Sequence, residues 1–367
     1  MSETFAVVTG GGTAGHVLPA LAVAEALVAA GHPRSAVHYV GTTRGVETRL
    51  VPPTGHPHTL LDVVGLQRRL SRRNLAVVPK VVRATRAAIR LLRELEPRVV
   101  VNLGGYGSFP ATYAARRLGI PYVVVSYDRR PGLVSRLMAG RAAACAVAFE
   151  GSALPRAVHT GAPVRRAIVA VDRVADRDAA RTALGLPLDR TVVAVVCGSL
   201  GATVVNRAVV EAVELLSART DLAVYHAVGE RNLVEPAPER DGTSGILYRV
   251  IGYEERMEAV YAAADLMITR AGAGTIAELA TVGMPAIVVP WPDAAENHQV
   301  DNARVLSDVG GAVLLEQAHL DGRRLADEIA RLVDDPSARQ SIAAAAWDAG
   351  AMHRSTRLVA LLERVAR

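Results

Sequence analysis

The chain has 367 residues, half of them hydrophobic, and a formal net charge of +6, which is enough for two domains and too apolar for a disordered chain. Met1–Thr4 carries no charged leader, no apolar run reaches the ~18 residues that span a bilayer, and Cys145 and Cys197 lie far apart. An exported, membrane-spanning or disulfide-built protein is therefore not expected, and a cytoplasmic one is.

Apolar, β-rich runs alternate with helical patterns along the chain. Strands are predicted at Phe5–Thr9, Val37–Val40, Val99–Leu103, Tyr122–Val125 and Ala144–Ala148, with helices at Val17–Ala30, Leu75–Glu94 and Ala111–Leu118. After the turn-rich Gly161-Ala162-Pro163-Val164 and a polar helix around Asp172–Leu184 the rhythm restarts. Strands follow at Thr191–Val196, Ala223–Ala227, Leu266–Ile268 and Ala286–Val289, and helices at Ala202–Ser217, Ile276–Thr281 and Gln299–Asp308. Strands apolar throughout belong to parallel sheets covered on both faces, so two Rossmann-like, doubly wound α/β domains are expected. Their predicted limits are 1–163 and 164–350, with a last helix near Met352–Ala366 that could pack back on the first domain. Charge follows the same division. Residues 1–165 hold 21 basic and 8 acidic side chains and the remainder 21 and 28, so the first half is expected to face something anionic.

Three strand–glycine loop–helix units stand out. The first strand runs into Gly10-Gly11-Gly12-Thr13-Ala14-Gly15-His16, where glycines permit close backbone approach and a helix start offers free N–H groups to phosphate. A nicotinamide enzyme would need an acid at the end of the second strand, and Gly41-Thr42-Thr43-Arg44 supplies none. The bland alternative is a glycine turn that serves packing only. Cys197-Gly198-Ser199-Leu200-Gly201-Ala202 repeats the chemistry in the second half, and neither loop ends as a P-loop does. In Thr269-Arg270-Ala271-Gly272-Ala273-Gly274-Thr275-Ile276-Ala277-Glu278 a carboxylate follows the loop, placed either to accept from both hydroxyls of a ribose or to complement the helix dipole. One strand later, Pro290-Trp291-Pro292-Asp293-Ala294-Ala295-Glu296-Asn297-His298-Gln299 sets carboxylate, amide and imidazole groups where a parallel strand opens on a ligand crevice.

These motifs, with Gly104-Gly105-Tyr106, Pro131-Gly132-Leu133 and Thr160–Arg165, are similar to those of the MurG family over nearly the whole chain. That family has the GT-B fold and moves N-acetylglucosamine from its UDP donor to a lipid-linked acceptor. The resemblance implies a UDP-sugar site between two domains. Glu278 would bind the ribose, Ser199 with Ala273, Gly274 and Thr275 the diphosphate, Arg165 would reach toward the donor, His298 and Gln299 would read the sugar, and the backbone at Tyr253 would meet the uracil. Gly12, Thr13, Gly15, Gly105 and Tyr106 would form the acceptor and phosphate loop, and His16 would be a candidate general base.

Two departures from the family pattern fall near the acceptor and the sugar. Ser126, Tyr127 and Asp128 stand where the family has Glu, Gln and Asn, and Leu200 replaces a glutamine. A different acceptor, in secondary-metabolite or glycolipid synthesis, is therefore an alternative, as are a UDP-sugar epimerase of the same fold and a non-catalytic sugar-nucleotide binder. Asp128 becomes a second base candidate. An inverting displacement is expected, with the leaving diphosphate held by helix N-termini and no metal or other cofactor.

Arg68, Arg69, Arg72 and Arg73, followed by Lys80, Arg83, Arg86 and Arg90, mix bases with aliphatics. They suit an anionic membrane surface, as for a protein peripheral to the inner face of the cell membrane, or a solvated helix face. Nucleic acid is not an expected partner, because aromatics for base stacking are absent.

Overall fold

The structure, a computed structural model, describes residues 3–65, 77–198, 201–234, 237, 239–294 and 298–366. The chain divides into two compact units, Met1–Arg166 with Met352–Arg367, and Ala167–Ala351.

Among its described residues the first unit holds β1 Ala6–Thr9, β2 Val37–Thr42, β3 His58–Leu61, β4 Val99–Asn102, β5 Tyr122–Ser126, β6 Ala144–Val147 and β7 Ala157–His159. They form one sheet in the order β3-β2-β1-β4-β5-β6-β7, with every pair parallel. Central strands such as Ala-Val-Val-Thr and Val-Val-Val-Asn are buried at every position, because helices cover both faces of a doubly wound sheet. The helix Val77–Leu95 buries Ala84, Ala88 and Leu92 on one stripe and exposes Arg83, Arg86, Arg90 and Arg93. That is the 3.6-residue period of a surface helix. The C-terminal helix, Arg357–Val365, packs on the first helix, Ala14–Ala29, and on β5 and β6.

The second unit holds β8 Thr191–Val196, β9 Leu222–Ala227, β10 Arg240–Asp241, β11 Leu247–Ile251, β12 Leu266–Thr269, β13 Ala286–Val288 and β14 Val313–Leu314. Their order is β10-β11-β9-β8-β12-β13-β14, parallel except for the antiparallel edge pair β10–β11. Two doubly wound α/β units are thus the fold. In each, strand order reverses once near the middle, between β1 and β4 and between β8 and β12, and a doubly wound sheet binds its ligand beyond the carboxyl ends of such strands. The glycine loops after β1, β8 and β12 all stand there.

Several expected elements shift. The helix foreseen from Asp172 begins at Arg177, because Asp172 Oδ1 accepts from the N–H of Val174 and Ala175 and turns the chain. The last helix begins at Arg357 rather than Met352. His353 instead accepts the Ala162 N–H at 3.0 Å, and the Met352 carbonyl lies against Gly161, whose φ is +78°.

Candidate active site

The loop after β1 interlocks with the loop after β4. Gly12 has φ +100°, and a Cβ there would lie 2.5 Å from the Tyr106 ring. Gly105, at φ +76°, would place a Cβ 2.3 Å from Gly11 O, so only glycine fits either position. Beneath them lies Glu47, fully buried. Its carboxylate accepts the Thr42 N–H at 2.8 Å and the Gly12 N–H at 3.2 Å, while Tyr39 donates its hydroxyl to Gly10 O. The sequence reading sought an acid at the end of β2 and missed this one, five residues beyond Thr42. Its signal is a lone acid in a glycine-flanked turn. The Gly12 donor is thereby engaged within the protein, and the helix Ala14–Ala29 begins two residues on. Thr13 precedes that helix, and its side chain makes no capping bond.

His16 lies two residues into the same helix, with Nδ1 2.6 Å from the Tyr127 hydroxyl. Tyr127 follows β5, is buried, and also reaches Gly15 O at 2.6 Å and Leu103 O at 3.2 Å. Burial lowers the His16 pKa; Asp128, the Leu103 carbonyl and Glu47 oppose it in part. Burial pushes the Tyr127 phenol well above its ordinary range. Asn102 accepts the Gly104 N–H at 2.7 Å and so fixes the start of the Gly104-Gly105 turn. His16, Gly105, Tyr106, Ser126, Tyr127 and Asp128 all line one cavity of about 600 Å³, whose other walls are largely aliphatic and include the exposed Leu133 and Leu137. The structure therefore gathers these predicted residues in one place, with Gly12 against Tyr106. Arg165, after β7, keeps a buried Nε with no hydrogen-bond partner among the described residues.

In the second unit Ser199 and Leu200 lie outside the described residues, but the flank of their loop is pinned. Gly201, at φ +65°, would place a Cβ 1.8 Å from Val228 O. That same carbonyl accepts from Asn206 Nδ2 at 2.8 Å, and Asn206 Oδ1 meets His226 Nε2 at 3.1 Å. Ala273–Val282 starts directly after Gly272, so Ala273, Gly274 and Thr275 form its first turn. Glu278, one turn on, accepts from the buried Tyr261 hydroxyl at 2.9 Å; the sequence reading had no reason to pair them, 17 residues apart. Arg270 donates to Val289 O, Pro290 O and Gln317 Oε1.

Gln299 Oε1 accepts the Trp291 N–H at 2.9 Å, which ties Trp291 to the first turn of the helix His298–Ser307. His298 opens the helix His298–Ser307, but its side chain lies outside the description. Tyr253 follows β11 on a loop anchored by the buried Glu254, which accepts from Tyr225 at 2.6 Å and from Arg256 N–H at 2.9 Å. Burial works against the Glu254 carboxylate, and the bonds from Tyr225 and Arg256 outweigh it and hold its pKa below the ordinary range. Arg68, Arg69, Arg72 and Arg73 lie outside the described residues.

Residues 6–147 match the glycosyltransferase family 28 N-terminal domain and residues 192–358 the glycosyltransferase family 28 C-terminal domain. The chain is 40% identical over 361 residues to the UDP-N-acetylglucosamine–N-acetylmuramyl-(pentapeptide) pyrophosphoryl-undecaprenol N-acetylglucosamine transferase of Clavibacter michiganensis subsp. michiganensis, covering 98% of this chain and 96% of the relative. It is 41% identical over 366 residues to the protein of the same name from Acidothermus cellulolyticus, covering 98% and 97%. Among solved structures, Acinetobacter baumannii MurG superposes with a TM-score of 0.72 at 27% identity, covering 98% of this chain and 99% of that one. Two matched domains in order, and this identity along nearly the full length, show that the chain belongs to the MurG family of glycosyltransferases and is an enzyme of that class.

Proposed function

We propose that this enzyme transfers N-acetylglucosamine from UDP-N-acetylglucosamine to the pyrophosphoryl-undecaprenol-linked N-acetylmuramyl pentapeptide. The observation that carries the reading is the 40% identity, over 98% of the chain, to relatives named for that reaction. The donor binds the second unit: Glu278 accepts from the ribose, the first turn from Ala273 to Thr275 and the Ser199 loop hold the diphosphate, and His298, Gln299 and Tyr253 complete the pocket. The acceptor binds the first unit, its diphosphate at Thr13–Gly15 and its sugar beside His16, Tyr106 and Asp128 in the largely apolar cavity.

An acceptor hydroxyl attacks the anomeric carbon while the bond to the diphosphate oxygen breaks. The electron pair leaves on UDP, and the acceptor proton passes to a base on the protein. Helix N-termini, rather than a metal, stabilise the leaving diphosphate. The test is UDP release with and without the lipid-linked acceptor, in the presence and absence of a chelator. Release only with acceptor, unaffected by chelation, is the expected result. Release accompanied by an altered donor sugar and no acceptor would make the protein an epimerase. Turnover of a different glycolipid in preference would move the acceptor assignment.

A further inference from the structure

Pro19 leaves a gap in the first helix. It has no N–H, so the Gly15 carbonyl, four residues back, receives no helical donor at i+4. The Tyr127 hydroxyl oxygen lies 2.6 Å from that carbonyl and 2.6 Å from His16 Nδ1. A phenol owns a single proton, and a carbonyl can only accept, so two oxygens 2.6 Å apart need that proton between them. The Tyr127 O–H is thereby committed to Gly15, and its contact with His16 is made by an Nδ1–H donating to the phenol oxygen.

We propose that Tyr127 is a positioning residue: it selects the His16 tautomer with its proton on Nδ1, leaving on Nε2 the lone pair that takes the acceptor proton. The proposal rests on the reading of His16 as the base. Neutral imidazole in water favours the opposite tautomer, so the pocket reverses an intrinsic preference, as hydrogen bonds to one ring nitrogen do elsewhere. Burial keeps the Tyr127 phenol protonated and favours neutral His16, the form that has a tautomer to choose. The charged groups acting on the ring are Asp128, next to Tyr127, and Glu47, beneath the glycine loop, and both favour its protonated form. After transfer the imidazolium keeps Nδ1–H on Tyr127 and returns the Nε2 proton to water. Tyr127 thus does more than fill the place of the family's glutamine.

Two-bond nitrogen–proton correlation spectra of ¹⁵N-histidine-labelled enzyme read the tautomer directly, and His16→Ala identifies the His16 signals. The expected wild-type pattern is protonated Nδ1 and bare Nε2. Tyr127→Phe should move His16 toward the Nε2–H form and cut kcat at least ~10-fold, with the donor KM within ~2-fold of wild type because the donor pocket is untouched. A wild-type spectrum showing Nε2–H overturns the proposal whatever the kinetics, and it remains decisive if Tyr127→Phe does not fold. An unchanged kcat in Tyr127→Phe, with the tautomer unmoved, overturns it equally. Near-wild-type turnover of His16→Ala overturns the base reading itself, and the spectrum then separates that failure from a wrong tautomer.

Discussion

Asp128 sits beside the His16 ring and favours its protonated form, against the larger effect of burial. If His16 is the base, it works when neutral, so the acidic limb of kcat/KM follows its pKa. Removing the Asp128 charge lowers that pKa, and the limb of Asp128→Asn should move to lower pH with only a modest loss of maximal rate. A loss of ~100-fold or more, the usual size of a general-base effect, would instead make Asp128 the base. In the donor unit, Glu278→Gln keeps the shape beside Tyr261 and removes the charge offered to the ribose. Charge-assisted hydrogen bonds contribute about 1.5–3 kcal/mol, so the donor KM should rise roughly 10- to 150-fold. Initial rates against donor concentration measure it, and an unchanged KM would reduce Glu278 to a helix-surface charge.

At the scale of elements, the loops owe their shape to residues that carry no motif. Glu47 ties the turn after β2 to the glycine loop after β1 through two backbone amides. Glu47→Ala would leave the buried Thr42 N–H unpaired at about 1–3 kcal/mol and remove the partner of the half-buried Gly12 N–H, whereas Glu47→Gln keeps an acceptor oxygen and should cost far less. Chemical denaturation of the two variants measures the difference, and equal midpoints would contradict the assigned role. The helix Val77–Leu95 presents Arg83, Arg86, Arg90 and Arg93 outward near the exposed Val82. Replacing these four arginines by glutamine should abolish co-sedimentation with vesicles rich in anionic lipid while leaving neutral vesicles unbound, each basic residue contributing ~1 kcal/mol near such a surface. Binding independent of anionic lipid would make the stripe an ordinary solvated face.

The same scale explains what could be read beforehand. Ala-Val-Val-Thr, Val-Val-Val-Asn and Thr-Val-Val-Ala-Val-Val announce buried parallel strands because their apolar runs are unbroken by the alternating polar positions of a one-sided sheet. His58–Leu61 and Ala157–His159 are short sheet edges, partly exposed, and Leu247–Ile251 carries Arg249 outward; their sequences look like loops. Glu47, Tyr39, Tyr261 and Tyr225 act across long sequence separations, which no local pattern encodes. Asp321, which the sequence reading did not single out, caps Gly322–Asp334 by accepting from Arg324 N–H.

Across the whole molecule, buried histidines make folding sensitive to acid, three of them most strongly. Burial lowers His38, His226 and His353 to about 4, with His58 adding to the effect on His38, and His159 and Arg354 to that on His353. Each stays neutral in the native state while the unfolded chain takes up its proton near pH 6.5, so the unfolded state binds more protons and stability falls as pH drops through that interval. A shift of this size corresponds to about 3 kcal/mol per histidine by the bottom of the interval. His38 and His353 belong to the first unit, with His16 acting in the same direction, whereas His226 belongs to the second. The first unit should therefore unfold at the higher pH. Both tryptophans, Trp291 and Trp347, lie in the second unit, so fluorescence follows that unit while far-ultraviolet circular dichroism follows both. In an acid titration the dichroism should begin to fall before the fluorescence changes, and His353→Gln should narrow the gap by freeing the first unit of one proton-binding liability. Coincident transitions in the wild-type protein would show that the two units unfold as one, with the histidines acting on their sum.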